Sequence, residues 1–187
     1  MIGGWQTNNV FRLHSGPWLS PTFGTGDPSG TGAGPDGLAQ HPDRVGPANP
    51  TQKNSSQWFL ASGFACPTPS AEPLPITSCT KAGTSAANPP IGRFGTAGVG
   101  ILRGPGTLDW DAGISKGFHL TERARLRFEF SFVNVMNHLN LGNPSMTVTS
   151  ANNPATGQCG FGCITSAQGL FSFAGARQGQ VTARIDF

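Results

Sequence analysis

Charge is scarce in this chain: Asp, Glu, Lys and Arg make up 11% of its 187 residues, and the formal net charge is +3. So small and scattered a surplus forms no electrostatic footprint for nucleic acid, and that partner is set aside. No run of eighteen apolar residues exists, which excludes a transmembrane helix. The stretch Met1-Ile-Gly-Gly-Trp5 has neither the basic nor the apolar region of a secretory signal, so the sequence reads as an incomplete piece of an exported protein. No helical period is sustained either. With 27 Gly and 16 Pro the chain is rich in turn formers and is one domain at most, yet its long alternating stretches argue against disorder throughout.

The residues needed for chemistry are also missing from any usable arrangement. The four histidines, His14, His41, His119 and His138, are dispersed without ligand spacing, so no metal site is expected. Asp109 and Asp111 form a carboxylate pair, but they sit on a regular strand near arginines with no nucleophile beside them, and solvated structural charge is the reading. The glycine runs, Gly98-Val-Gly100 among them, lack the strand-then-helix setting of a nucleotide loop. No catalytic residue, no cofactor and no enzymatic activity is expected, and the residues that bind substrate are unknown. Cysteines come as Cys66 with Cys79 and as Cys159 with Cys163. In an oxidising compartment these read as disulfides, with three pairings open, ahead of zinc.

What is present is alternation. Trp5, Thr7, Asn9, Phe11 and Leu13 alternate with Gln6, Asn8, Val10, Arg12 and His14, giving a strand over about 4–14. Patterning stops over 15–106, which reads as one very long loop, and resumes at Thr107. From there Leu108, Trp110, Ala112, Ile114, Lys116 and Phe118 share one face of a strand over about 107–118. A short connection at His119–Glu122 leads to a third strand, about 123–137, with Ala124, Leu126, Phe128, Phe130 and Phe132 on one side. Its other side carries Arg123, Arg125, Arg127, Glu129 and Ser131, so that Asp109, Asp111, Arg125, Arg127 and Glu129 are expected to form a charge ladder across the hairpin. A second long loop, 138–175, precedes a closing strand, about 176–187.

Alternation alone does not separate a soluble sandwich from a membrane barrel. Strand length does: Trp110 to Phe118 covers roughly 27 Å, and a tilt near 40° leaves about 20 Å along the membrane normal, close to an apolar band of about 25 Å. Trp110 at one end of the apolar face, with Lys116 and Phe118 at the other, match interface anchors. Loop parity agrees, since barrels have short periplasmic turns and long outer loops. The expected fold is therefore all-β: an antiparallel meander of about four long strands from a transmembrane β-barrel, with long irregular extracellular loops.

The last strand supports this. Val181, Ala183, Ile185 and Phe187 share a face, and Gln180, Ile185 and Phe187 resemble the signal read by the barrel-assembly machinery, with Thr182 where glycine is usual. A wider set of pieces carries a family resemblance: Arg93-Phe-Gly-Thr-Ala-Gly98, Leu102-Arg-Gly-Pro-Gly106, Trp110-Asp111, Lys116, Phe118, Glu122-Arg123, Leu126, Phe128-Glu-Phe130, Asn134, Asn137-His138, Phe161-Gly162, Ile164, Ala176-Arg-Gln178 and Phe187. Their order resembles the carboxyl-terminal end of TonB-dependent outer-membrane receptors, in the branch with an amino-terminal carboxypeptidase-regulatory-like domain. The likeness is strong from Ile91 onward and fainter over Gly3 to Phe23. Two departures stand out: Cys163 replaces a common arginine, and there is no Tyr at all.

The resemblance implies a plug domain, a barrel of about twenty-two strands and ligand uptake driven by the TonB complex. This chain supplies about four of those strands. The expected partners are the remainder of the barrel and its plug, the barrel-assembly machinery through the strand ending at Phe187, the TonB complex, and outer-membrane lipid; the expected location is the bacterial outer membrane. The alternative is a secreted or surface-displayed structural or adhesive β-protein that self-assembles through its strand edges.

Overall fold

A computed structural model of the chain describes residues 3–23, 27–30, 40–67, 92–168 and 175–187. In chain order the strands are β1 (Trp5–His14), β2 (Trp18–Leu19), β3 (Asp43–Arg44), β4 (Phe64–Ala65), β5 (Leu102–Arg103), β6 (Thr107–His119), β7 (Arg125–Val133) and β8 (Gln178–Asp186), with one 3-10 turn at Ala61–Gly63. The expected all-β, antiparallel architecture is what forms. The chain divides into two units, one made of Met1–Ser15, Pro105–Leu141 and Ser166–Phe187, the other of Gly16–Gly104 and Gly142–Thr165.

The first unit is a four-stranded sheet in the order β1-β6-β7-β8, every neighbour antiparallel. Register follows the alternation of the sequence. Thr7, Ile114, Phe130 and Val181 form one row across the sheet, and Gln6, Ser115, Glu129 and Thr182 the next, on the opposite face. The apolar face is left uncovered, and most of the polar face is open as well. Phe11 is 67% exposed, Leu13 80% and Val181 66%, whereas Asp109 and Ser115 on the polar face are 7% and 6% exposed. Every buried hydrophobic residue among the described ones belongs to the second unit, so the sheet has no apolar core of its own.

Two strand ends differ from expectation, for local reasons. β7 begins at Arg125 because the Thr121 hydroxyl accepts the N–H groups of Arg123 (3.3 Å) and Ala124 (3.0 Å), which draws both into the turn. It stops at Val133 because Asn134 (φ 51°) and Asn137 (φ 50°) enter the left-handed region, and the Asn134 Oδ1 accepts the His138 N–H at 2.9 Å.

The stretch read as one very long loop, 15–106, contributes to a packed core in the second unit. Phe23, Phe59, Phe64, Leu102, Val148 and Phe161 form a buried cluster, and Pro21, Pro28, Pro42 and Pro67 of the same unit are fully buried. The pairs β2–β5 and β3–β4 tie its first segment together. The second segment is sewn in by backbone: Thr22 N–H donates to Met146 O (2.9 Å), Trp58 N–H to Gly162 O (2.7 Å) and Ile164 N–H to Ser55 O (2.7 Å). Phe161 meets Phe64 edge-on at 5.6 Å and Phe59 at 6.3 Å. Gly162 is required beside it, since its φ is +77° and an added Cβ would lie 2.4 Å from Phe59 O. The Cys159–Cys163 disulfide, Cα–Cα 5.4 Å, closes the short hook that inserts Phe161. Cys66 is also disulfide-bonded, and Cys79 lies outside the described residues.

Truncating this hook should melt the second unit. Phe161→Ala is expected to cost about 3–5 kcal/mol, seen as loss of amide hydrogen-exchange protection at Trp58, Val148 and Ile164. Unchanged protection there would show that Phe161 is not a core residue.

Candidate functional site

The polar face of the sheet is the surface on which function can be built. Arg12 of β1 lies opposite Asp109 of β6; its Nη1 donates to Asp109 Oδ2 at 3.3 Å and its Nη2 to Asp111 Oδ2 at 2.8 Å. Asp111 also accepts the Asn134 N–H at 3.0 Å. The expected charge ladder across the β6–β7 hairpin is thereby corrected: the two aspartates pair across β1–β6. The reason is register, because β7 reaches only Val133 while Ala112 already faces Phe132, leaving no β7 strand position opposite Asp109. Arg127 instead reaches Ser115 Oγ (3.3 Å) and Glu129 of its own strand (3.8 Å). Arg12 carried no functional role on sequence grounds; its position on the polar face of β1 was the available signal.

Beside Arg127 lies a recess of about 400 Å³ lined by Gln6, Thr7, Asn8, Gly113, Ile114, Ser115, Arg127 and Glu129. Asn8 fills the room that Gly113 leaves, since an added Cβ there would meet the Asn8 amide. Arg127 and Arg184 are direct cross-strand partners. Arg184 Nε donates to Asp186 Oδ1 at 2.7 Å, so each guanidinium is balanced along its own strand. The recess offers amides, a hydroxyl and one ion pair, suited to hydrogen-bonding a polar solute or polypeptide. His14 and His119 end strands β1 and β6, His138 follows the Asn134 turn, and His41 contacts Pro21 O at 2.9 Å in the other unit. Among the described residues no three of His, Cys, Asp and Glu come together.

The opposite face carries the anchors. Phe11 stacks on Trp110 with centroids 5.0 Å apart and planes at 12°, and the indole N–H donates to Asn9 Oδ1 at 3.2 Å. Toward the short turn, Lys116 Nζ lies 4.9 Å from the Trp5 ring centroid and 5.6 Å from that of Phe118, and donates to Gly3 O at 2.6 Å.

Charges in the second unit are tied locally. Arg93 grips Asp43 through two bonds, 2.9 and 2.5 Å, and Thr96 N–H adds a third at 3.0 Å. The Arg93 hydrogen bond holds the Asp43 carboxyl below the usual carboxylate range, and the same bond raises Arg93. Burial lowers Lys53, which rests over the Trp58 and Phe59 rings.

A sheet of long alternating strands that leaves its apolar face uncovered and anchors that face at both ends has the build of a membrane-spanning β-barrel wall. The comparison with known families agrees: the chain matches the outer membrane beta barrel domain over residues 1–180 and belongs to that family. No curated protein and no solved structure matches the chain.

The two faces should answer differently to the same substitution. For protein inserted in lipid, Phe130→Arg is expected to lower unfolding stability by about 2–4 kcal/mol, and Gln180→Arg by about 1 kcal/mol or less. Equal costs in a denaturant titration would refute the assignment of faces. Acid should act on the second unit through Asp43. Its carboxyl is lowered on folding, so the stabilisation is complete above the unfolded value of about 3.9 and is lost as pH falls through the folded value. Near-ultraviolet circular dichroism should follow that loss, and Asp43→Asn should remove the pH dependence while costing roughly 1.5–3 kcal/mol.

Proposed function

We propose that this chain is part of the barrel of a TonB-dependent outer-membrane receptor that takes up a ligand across the bacterial outer membrane. The resemblance of Ile91 to Phe187 to the carboxyl-terminal end of such receptors supports the assignment, and in this reading the strands belong to the closing seam. The observation that carries it is a long-stranded sheet whose apolar face, with Phe130, Phe132, Val181 and Ile185, has no core over it. Full burial of such a side chain is worth roughly 1.5–3 kcal/mol, and lipid would restore the part of it that these residues forgo in water. Four strands cannot close a barrel, since the smallest has about eight. Strands β1 and β8 stand at the two ends of the sheet, so further strands of the receptor complete it, and the polar face then lines a lumen occupied by the plug domain.

In this reading the short 120–124 turn is periplasmic and the two long connections face outward, because both leave the same end of the meander. The barrel-assembly machinery inserts the sheet through its last strand, and TonB energises the complete receptor. The protein has no enzymatic role. The two free edges also favour a second reading, a surface β-protein that polymerises edge to edge.

Fractionation separates these. The expected result is material in the outer-membrane pellet that resists carbonate extraction and dissolves only with detergent. Ordered filaments would support the polymer, and a monodisperse, detergent-free monomer would overturn both.

A further inference from the structure

Among the described residues of the second unit the cations are Arg44, Lys53, Arg93 and Arg103 and the anions Asp27 and Asp43. Arg93 takes Asp43. Each of the other three sits over an aromatic ring: Arg44 over Phe64 at 5.5 Å, Lys53 over Trp58 at 5.2 Å and Phe59 at 5.1 Å, and Arg103 over Trp18 at 4.4 Å. None of the three has a carboxylate partner among the described residues.

Two of these pairs are joined. Trp18 and Arg103 are cross-strand partners in β2–β5, and the Arg103 carbonyl accepts the Trp58 indole N–H at 3.0 Å. Trp58 in turn carries Lys53. The contacts run Trp18–Arg103–Trp58–Lys53, with Trp58 half-buried, and the exposed Asn54, Ser55 and Ser56 follow Lys53 in the chain. Trp18 is 64% exposed although Arg103 covers it, so much of the indole is open to solvent.

We infer that this run of side chains is a binding site for an acidic saccharide. The open part of the Trp18 ring offers its electron-rich face to the C–H face of a sugar ring. Arg103 and Lys53, held in place by stacking and without a carboxylate partner among the described residues, are offered to the sugar acid for charge-assisted hydrogen bonds. The Asn and Ser side chains match hydroxyl groups. A neutral sugar leaves both cations unanswered, and a bare anion leaves the indole unused. The inference deepens the receptor reading and rests on it only for the side of the membrane that the site faces.

Titration of the full chain in detergent micelles with polygalacturonate, against neutral galactan as control, tests it. Polygalacturonate should bind and galactan should not. Arg103→Gln and Trp18→Ala should each weaken binding about tenfold, the scale of one lost charged contact, and Lys53→Gln, at an exposed position, should do the same should Trp18→Ala fail to fold. Arg123→Gln, in the turn after β6, should leave affinity unchanged. Equal binding of galactan, equal weakening by Arg123→Gln, or no binding of polygalacturonate would each overturn the site. Failure of binding with membrane fractionation intact would leave the receptor reading standing; the reverse would remove the receptor and keep the site.

Discussion

The controlling constraint is that a strand in lipid must satisfy its backbone entirely within the sheet while turning its apolar side chains away from it. Strands β6 and β7 meet this fully, each hydrogen-bonded on both sides. Period-2 alternation then follows by geometry, because successive side chains alternate faces whatever the environment. What the environment decides is which face is apolar and outward. Here Ile114, Phe130 and Val181 share a row with no apolar layer over them, and the row beside it, on the other face, holds Ser115, Glu129 and Thr182.

The same constraint explains how the two units divide the work. A sheet that gains its apolar stabilisation from lipid needs no interior, and all the buried hydrophobics described lie in the segments between its strands. Those segments have to fold by aqueous rules. They do so with few charges, using proline and aromatic packing, backbone bonds between distant stretches, and the disulfide at Cys159–Cys163. Cys163, where the resembling receptors commonly carry arginine, is thereby accounted for: its bond to Cys159 holds the hook that delivers Phe161 to the core.

How much of this was legible in the sequence depends on whether a period was available. The four strands were, since Thr107 to Phe118 and Arg125 to Phe132 alternate almost without error. Their ends were not, because Thr121 and Asn134 set them with single side-chain hydrogen bonds that leave no periodic trace. The core around Phe59 and Phe161 was illegible for a related reason. Its members come from distant segments and are held by close backbone approach, as at Gly162, so neither 2 nor 3.6 recurs. Arg12 was visible as a polar-face residue, but its pairing with Asp109 and Asp111 required the β1–β6 register, which no local pattern supplies.

The absence of tyrosine becomes intelligible at the ends of the apolar face. Tyrosine suits a membrane interface because one side chain joins an apolar ring to a polar tip. Here the two properties are divided between neighbours. Lys116 supplies the polar tip for Trp5 and Phe118, its ammonium lying over both rings and bonded to Gly3 O. At the other end Phe11 supplies area, Trp110 supplies an N–H, and Asn9 accepts it, which also explains the amide at that position. Each assembly spans adjacent strands in register, Trp5 opposite Lys116 and Phe11 opposite Trp110. A girdle made this way depends on β1–β6 pairing as a tyrosine would not, so the anchors that hold the sheet at the interface also fix its register.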